Sequence, residues 1–387
     1  MTKSLKKKRR KGKAIERLIG PMKQLKIIKE DRNVFSTLNI EDLPNEVIGH
    51  VFSYLKIVDV LKCGKVAKRF RAVSNDQYLW PKTLNLCYKK VPVGFLEKLL
   101  DSGCKYLSLS GSVLDGTLNL PETSGLKYLN LSDFELQSYR KNSEEIIRSC
   151  FSLQKLSLCK SKLSLNLISI TSLQNGKTLK VLDLSKCTFL RSHSDKCELD
   201  CIWQIVKTCT ELKELSLFMT NLCEKSIDYL VSNLTSNIEK VDLCNMNCLR
   251  DKHIKKLVKR CNKITDLNLG GWNSTSRQSL NHIIENLKLT LERLCYVPSF
   301  VRFNQNDLFK LDRMEKLEVF CYGGIMENGH DCDWLKQHLP NVRIYANPRK
   351  RKIAIPREPE YNRQGFWDIK AEQEELFSAS YIGTKFL

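Results

Sequence analysis

The chain has 387 residues, of which 42% are apolar and 28% are charged, and its net charge is +21. This composition is typical of a folded protein with one large domain or two modest ones. We find no run of about 18 apolar residues and no apolar stretch behind a short basic start, so we expect neither a membrane-spanning helix nor a secretory signal. The protein is therefore expected to stay inside the cell, where its 16 cysteines are reduced and serve mainly in packing.

The first 36 residues form a basic segment. Residues 1–30 hold twelve Lys/Arg and two Asp/Glu, so ten of the 21 net positive charges lie there. Like charges repel each other and offer little to pack, which predicts a disordered arm. A Lys/Arg run of this kind favours a nuclear-import signal and hence a nuclear and cytoplasmic location. Binding to nucleic acid or to acidic surfaces is the alternative use of the same run.

Residues 37–82 form the next segment, which opens with the sequence LNIEDLPNEVIGHVFSYL. Its apolar residues recur at helical intervals, and Pro44 suits the first turn of a helix because that position needs no N–H group. A second apolar set follows in VDVLKCGKVAKRFRAV. Since about forty residues rarely bury a sufficient core alone, we predict that another protein covers part of this apolar surface.

The same segment resembles the F-box along its whole length. Its landmarks include Leu43-Pro44, Val51-Phe52, Lys68-Arg69-Phe70 and Leu79-Trp80. The resemblance implies a three-helix module that binds the Skp-family adaptor and, through it, the cullin and RING subunits of a ubiquitin ligase. The predicted adaptor-binding residues are Leu43, Pro44, Val47, Ile48, Val51, Phe52, Leu55, Leu61, Val66, Phe70 and Trp80.

Residues 83–345 repeat one pattern, seen for example in LKYLNLSD, LKVLDLSK and LKELSLFM. The middle apolar residues of the successive copies are Leu84, Leu107, Leu129, Leu156, Leu182, Leu215, Val241, Leu267, Leu294, Leu317 and Val342. Their spacing is 22 to 27 residues apart from one of 33, which matches leucine-rich repeats. The pattern predicts an α/β fold in which about ten strand–helix units stack into a horseshoe-shaped solenoid.

The helical halves of the repeats appear in SEEIIRSC, CIWQIVKTC, SIDYLVSNL, HIKKLVKRC and LNHIIENL. Each has apolar residues at intervals of three and four. Alternation along the strands predicts that Leu182 and Leu184 face the core while Val181, Asp183 and Ser185 lie on the concave sheet surface. Cysteines recur just before three of the strands and at Cys187, where a small apolar side chain suits a buried position.

Motifs for catalysis are missing from the sequence, which has no Gly-rich phosphate loop, no H-E-x-x-H, no G-x-S-x-G and no C-x-x-C. We therefore expect a non-catalytic protein without a metal or another cofactor. Two sets of potential metal ligands occur, namely His193 with Cys197 and Cys201, and His330 with Cys332. Such sets arise easily in a cysteine-rich chain, so the interpretation we favour is an insertion loop in the first case and no metal in either.

An F-box followed by leucine-rich repeats resembles the F-box/leucine-rich-repeat class of substrate receptors, and most of all the S-phase kinase-associated protein two subfamily. That subfamily has a C-terminal tail that returns along the concave face. The comparable tail here is residues 346–387, which contain the sequence GFWDIKAEQ. The resemblance implies a receptor that holds a target for ubiquitination. A phosphorylated cell-cycle target and a small cyclin-dependent-kinase regulatory subunit are the partners that the subfamily suggests.

The predicted target-binding or partner-binding residues are Trp272, Phe320, Tyr322, Lys240, Arg293 and Trp367. The aromatic residues lie near strand ends or in the tail, where they are suited to anchor a partner, although Trp272 could equally pack over a neighbouring turn. Paired cations such as Lys240 and Arg293 can recognise a phosphate or an acidic segment, whereas a solvated position is the simpler role for each alone. The alternative function is a nuclear repeat scaffold that binds nucleic acid through the basic arm and residues 348–352.

Overall fold

The computed structural model describes residues 40–346 except 56, 77–78, 80–82, 102, 117, 119–124, 135–139, 190–195, 272–274, 298–304 and 323–330. The predicted basic arm and the predicted C-terminal tail lie outside these residues. The chain divides into two compact units after Leu79, close to the boundary that the sequence predicts at residue 82. No helix among the described residues is both long enough and apolar enough to cross a membrane.

The described residues of the first unit form one short 3-10 turn and three helices. They are Ile40–Asp42, α1 (Asn45–Ser53), α2 (Ile57–Cys63) and α3 (Lys68–Ser74). The side chains of Ile48, Phe52, Val60, Phe70 and Val73 are buried. The rings of Phe52 and Phe70 meet edge to face with 5.6 Å between centroids, which joins α1 to α3.

One arginine fastens the start of α1 to α3. Arg69 donates from Nε to Asn45 Oδ1 at 2.8 Å and from Nη2 to the carbonyl of Leu43 at 2.5 Å. Pro44 precedes α1 with φ −54° and needs no N–H partner there. These bonds fix the segment around Leu43 and Pro44 against the folded module.

The second unit is built on one parallel sheet of eleven strands in the order β1-β3-β5-β6-β8-β10-β11-β12-β13-β14-β15. Its strands are β1 (Thr83–Asn85), β3 (Tyr106–Ser108), β5 (Tyr128–Asn130), β6 (Lys155–Ser157), β8 (Val181–Asp183), β10 (Glu214–Ser216), β11 (Lys240–Asp242), β12 (Asp266–Asn268), β13 (Arg293–Tyr296), β14 (Val319–Tyr322) and β15 (Arg343–Ala346). Two further pairs are β2 (Lys90–Pro92) with β4 (Val113–Asp115), and β7 (Lys162–Leu163) with β9 (Thr188–Phe189).

Helices connect most of these strands. They are α4 (Val93–Asp101), α5 (Arg140–Arg148), α6 (Leu165–Asn175), α7 (Lys196–Thr208), α8 (Glu224–Asn233), α9 (Asp251–Arg260), α10 (Arg277–Leu287), α11 (Gln305–Phe309) and α12 (Asp331–His338), with a 3-10 helix at Lys310–Arg313. Their apolar faces and the central strand leucines form the buried core. This alternation of parallel strands and helices is the predicted α/β solenoid of leucine-rich repeats.

The predicted register is confirmed for the first nine strands of the sheet and is wrong for the last two. Leu267 pairs with Leu294, as expected, but Leu294 pairs with Phe320 and Phe320 pairs with Ile344. The sequence predicts Leu317 and Val342 at these positions. Both lie before their strands, so an aromatic residue and a β-branched residue occupy the slots that leucine holds elsewhere.

Each of the first eight strands of the large sheet is followed by a turn in which one residue has a positive φ angle. These residues are Tyr88, Gly111, Asp133, Lys160, Lys186, Met219, Asn245 and Gly271. Their N–H groups donate to the next repeat, for example Met219 N–H to the carbonyl of Cys244 at 2.9 Å. The left-handed backbone therefore extends the hydrogen-bond ladder beyond the strands, even where a side chain makes this conformation unfavourable.

The cysteines before the strands and Cys187 are buried, as their positions predict. Cys150, Cys209 and Cys261 are almost fully inaccessible, and the Sγ of Cys187 lies 2.9 Å from the carbonyl of Leu158, to which it donates. Burial raises the pKa of the Cys261 thiol to about 12. These thiols therefore act as small packing groups and not as nucleophiles.

Candidate protein-interaction surfaces

Helix α1 carries two adjacent apolar stripes. Ile48 and Phe52, four residues apart, form one stripe and are fully buried within the first unit. Val47 and Val51 form the other, and Val47 is 42% exposed while Val51 is partly exposed. Because positions four apart lie on the same side of a helix, one side of α1 packs inside the module and the neighbouring side does not.

The predicted adaptor-binding residues therefore separate into two groups. The prediction is wrong for Ile48, Phe52 and Phe70, because these side chains form the core of the module and cannot reach a partner. The exposed apolar set consists of the partly or largely exposed residues Leu43, Pro44, Val47, Val51, Leu55, Leu61 and Val66. Trp80 lies outside the described residues.

Tyr54 is a further exposed aromatic residue on this unit, and it is not one of the predicted adaptor-binding residues. Its side chain is 64% exposed, and its ring packs edge to face against His50 with centroids 5.2 Å apart. Its position three residues after Val51 is the sequence signal that places it beside the exposed stripe.

The face of the large sheet opposite the helices, which corresponds to the predicted concave side, is called the open sheet face here. The first residues of eight neighbouring strands, β3 to β13 in sheet order, lie side by side in the register and form the first row of this face. They are Tyr106, Tyr128, Lys155, Val181, Glu214, Lys240, Asp266 and Arg293. Tyr106 and Tyr128 contact each other edge to face at 4.5 Å, and Lys155 Nζ lies 4.9 Å from the centroid of the Tyr128 ring.

These three residues form a partly exposed platform of two aromatic rings and one cation. They are not among the residues that the sequence predicts to bind a target. The available signal was their position directly before the buried leucine in YLSL, YLNL and KLSL, which alternation places on the open sheet face.

Lys240 and Arg293 do lie on the open sheet face, but each is already paired with a carboxylate of the preceding strand. Lys240 Nζ is 3.0 Å from Glu214, and Arg293 Nε donates to the buried carboxylate of Asp266. An anionic ligand would have to compete with these neighbours. The two cations are therefore less available to a phosphate than their isolated positions in the sequence suggest.

The prediction of Phe320 as an exposed anchor is wrong. Its side chain is fully buried because the shift in register places it in the inward slot of β14, next to Leu294. Trp272, Trp367 and the side chain of Tyr322 lie outside the described residues. Of the predicted target-binding residues, the described part of the structure thus contains Lys240 and Arg293 on the surface and Phe320 in the core.

The second row of the open sheet face is polar and structural over much of its length. Asn85, Asn130, Asp183, Asp242 and Asn268 each accept a hydrogen bond from the backbone N–H two residues later. These bonds close the turns in which the positive φ angles occur. At these five positions the side-chain oxygen therefore stabilises the turn after the strand.

Asp242 is the most unusual member of this row. Its carboxylate is 2% exposed, and burial raises its pKa from 3.8 to about 7, with a smaller upward contribution from the charge of Asp183. Hydrogen bonds from Cys244 N–H and the Asn268 side chain oppose this shift. The Asp242 carboxyl group therefore binds a proton at a higher pH than an ordinary aspartate does.

A metal site has little support in the described residues. They contain no group of three or more His, Cys, Asp or Glu side chains arranged to hold an ion. His193 and His330 lie outside the described residues, as do the side chains of Cys197 and Cys332, while Cys201 is buried in α7.

Comparison with known proteins identifies both parts of the chain. Residues 94–374 match the family described as "SKP2 LRR domain", and residues 40–84 match the family described as "F-box-like". F-box/LRR-repeat protein 12 of Mus musculus is 25% identical over 256 residues, which covers 65% of this chain and 62% of that relative. The chain thus matches less than two thirds of the length of this relative.

A crystal structure of the leucine-rich repeat-containing protein LegL7 from Legionella pneumophila is also similar, with a TM-score of 0.39 and 15% identity, covering 68% of this chain and 89% of that chain. The match to the SKP2 repeat family extends over more than half of the chain and confirms the resemblance inferred from the sequence. The chain therefore belongs to the SKP2 LRR domain family and carries an F-box-like segment in front of its repeats.

Proposed function

We propose that this protein is the substrate-recognition subunit of an SCF-type ubiquitin ligase. In this role the F-box-like unit binds the Skp-family adaptor, which links it to the cullin and RING subunits, and the repeats hold a target. The observation that carries the proposal is the second apolar stripe of α1, which the unit itself leaves uncovered although its other stripe is fully buried. The F-box-like match over residues 40–84 supports this assignment.

The size of the exposed apolar set indicates how the adaptor would be held. Val47 is 42% exposed and Val66 is 43% exposed, so covering the remaining surface of each supplies on the order of 1 kcal/mol. No single residue of this size produces tight binding, and several of them must be covered together. The proposal therefore requires the whole exposed apolar set to meet one partner surface.

In this proposal the repeats recognise the target and hold it in position, and the chain itself carries out no step of the ubiquitin transfer. We place the target on the open sheet face, where Tyr106, Tyr128 and Lys155 combine apolar area with a partly exposed cation. A bound target would be held close to the ubiquitin-carrying arm of the ligase, and proximity alone accelerates transfer.

Finer features of the proposal come from the subfamily and from the basic segments. A phosphorylated cell-cycle target and a small cyclin-dependent-kinase regulatory subunit are proposed partners. A phosphate that bound Lys240 or Arg293 would have to displace Glu214 or Asp266, so Lys155 is the better cation for such a contact. We also propose a nuclear and cytoplasmic location, on the basis of the basic run in residues 6–13.

The test is affinity purification of the full chain from cells, followed by quantification of the adaptor and cullin by mass spectrometry. The wild-type chain should retain both, and a Leu43→Ala/Pro44→Ala variant should lose most of both. Arg69 holds the Leu43 carbonyl by a backbone contact that these substitutions keep, so the module should remain folded.

The matched control is Lys68→Glu, an exposed position at the start of α3 where a negative charge suits the helix dipole. This variant should retain the adaptor at the wild-type level. Equal recovery of the cullin with the wild-type chain and the Leu43→Ala/Pro44→Ala variant would reject the proposed docking surface. Binding that instead falls steeply with salt would favour a nucleic-acid scaffold.

A further inference from the structure

Two cysteines stand side by side on the open sheet face near the end of the solenoid. Cys295 of β13 and Cys321 of β14 are direct partners in the parallel register. The preceding residues, Leu294 and Phe320, are fully buried, so alternation along the strands directs both thiols to the opposite face. Neighbouring strands lie about 4.8 Å apart, a separation within the range of Cα distances found across disulfide bonds.

A third thiol, that of Cys244 in the turn after β11, lies close to Cys295. A Cβ atom on Gly270 would lie 3.3 Å from the Sγ of Cys244 and 3.3 Å from the Sγ of Cys295. The two sulfur atoms therefore flank Gly270, which leaves room for them because it has no side chain. The thiol cluster is defined here as Cys244, Cys295 and Cys321, all of which are partly exposed.

The members of the register pair are not equivalent. A side-chain hydrogen bond between the two thiols lowers the pKa of Cys321 and raises the pKa of Cys295. Burial and the charge of Asp242 raise the pKa of Cys244. Since the thiolate is the reactive form, Cys321 is the first nucleophile of the cluster.

We propose that Cys295 and Cys321 form an oxidisable dithiol site that closes to a disulfide when it meets a hydroperoxide. The Cys321 thiolate attacks one peroxide oxygen, the O–O bond breaks, and Cys321 becomes a sulfenic acid. The other oxygen leaves as hydroxide or alkoxide and takes up the proton that Cys321 released, which gives water or an alcohol. The Cys295 sulfur then attacks the Cys321 sulfur, the S–O bond breaks, and the hydroxyl group leaves as water with the proton of Cys295. Two thiols and one hydrogen peroxide thus give one disulfide and two waters, and an organic hydroperoxide gives one disulfide, one water and one alcohol.

The buried cysteines provide an internal comparison. Cys187 is almost fully inaccessible, its thiol donates to a backbone carbonyl, and burial strongly raises its pKa. It should therefore react at least about tenfold more slowly with peroxide than Cys321 does. The proposed dithiol site depends only on Cys295 and Cys321, so it does not rest on the proposed role in a ubiquitin ligase.

The experiment treats the folded full chain with one equivalent of hydrogen peroxide, blocks the remaining thiols with N-ethylmaleimide, and maps tryptic peptides by mass spectrometry. The expected product joins peptide 294–302 to peptide 317–336 and disappears after treatment with a thiol reductant. Peptide 317–336 also contains Cys332, so fragment ions must place the bond at Cys321. Recovery of Cys295 and Cys321 as alkylated thiols while Cys187 is oxidised would overturn the proposal.

Substitutions then test the order of events. In Cys295→Ser, the sulfenic acid on Cys321 should persist and be captured by a 1,3-dione probe, whereas Cys321→Ser should leave Cys295 unmodified. Cys244→Ser is the matched control and should still form the bond between Cys295 and Cys321. Loss of that bond in Cys244→Ser, or capture of a sulfenic acid on Cys295 in Cys321→Ser, would show that the assignment of the pair is wrong.

Discussion

Val47 and Ile48 are consecutive residues of helix α1, yet Val47 is 42% exposed and Ile48 is fully buried. Consecutive side chains of a helix point about 100° apart, so one faces the three-helix core and the other faces away from it. Both are β-branched apolar residues, and the sequence alone does not separate them. This pair offers a direct way to distinguish the fold of the unit from its binding.

We predict that Ile48→Ala lowers the free energy of unfolding of the F-box-like unit by about 2–4 kcal/mol, because it leaves a cavity in the core. Val47→Glu should change that free energy by less than about 0.5 kcal/mol and should still abolish retention of the adaptor, because a charge would enter an apolar interface. Chemical denaturation and affinity purification measure the two effects. A folded Val47→Glu variant that keeps the adaptor would contradict the proposed surface.

Asn175, at the end of α6, bridges two repeats and is fully buried. Its Nδ2 donates to the carbonyl of Cys150 at 2.9 Å, and its Oδ1 accepts from the N–H of Leu153 at 3.0 Å. We predict that Asn175→Leu destabilises the repeats by about 2–4 kcal/mol in urea unfolding, because both backbone groups lose their partner.

Asn233 is the matched control for this prediction, since it lies at the end of α8, is exposed, and its side-chain Nδ2 donates to the carbonyl of Tyr229 within the same helix. Asn233→Ala should lower the free energy of unfolding by less than about 0.5 kcal/mol. Equal losses in the two variants would mean that the bridge formed by Asn175 has no special role.

Met219 holds a left-handed conformation, with φ at 56°, while its N–H bonds to the carbonyl of Cys244. We predict that Met219→Gly leaves the stability unchanged or raises it by up to about 1 kcal/mol, because relief of strain offsets the extra freedom of the unfolded chain. Met219→Val should lower the free energy of unfolding by about 1 kcal/mol or more, since a β-branched residue fits the left-handed conformation poorly. Thermal unfolding of the two variants measures the difference, and a Val variant as stable as the Gly variant would contradict it.

The repeats could be predicted from the sequence because each one must bury the same inward leucine. Leu182 and Leu215 therefore mark their strands without ambiguity. The last two strands could not be placed in the same way, since Leu317 and Phe320 both fit an apolar slot and only the pairing with Leu294 decides between them. The error at Phe320 as a surface residue follows from that choice of register.

The sequence predicts which residues of the candidate surfaces share one side of a helix or strand, but not which side is covered by the rest of the fold. The apolar residues of α1 are evident in the sequence, but which of them face the core depends on where Phe70 packs. Likewise, Lys240 appears free in the sequence because its partner Glu214 is 26 residues away, one repeat earlier. Pairing between neighbouring repeats is set by the length of each repeat and not by the nearby residues.

Asp242 makes the stability of the repeats depend on pH. Its pKa is about 7 in the folded protein and 3.8 is its ordinary value, so the folded state binds more protons between these two values. The contribution of this group to stability is therefore complete below about pH 3.8 and is lost as the pH rises through about 7. Replacing the Asp242 carboxylate by a neutral group should therefore raise the free energy of unfolding most at the higher pH.

We predict that Asp242→Asn becomes more stable relative to the wild-type chain between pH 5 and pH 8, by on the order of 2 kcal/mol. The substituted amide can still accept from Cys244 N–H, which bonds to Asp242 Oδ1 at 3.0 Å. Its NH₂ group meets the side chain of Asn268, and this mismatch should lower the stability by a similar amount at every pH. The informative quantity is therefore the change with pH in the difference between the two unfolding free energies, measured by urea denaturation. A difference that stays constant from pH 5 to pH 8 would mean that Asp242 does not take up a proton on folding.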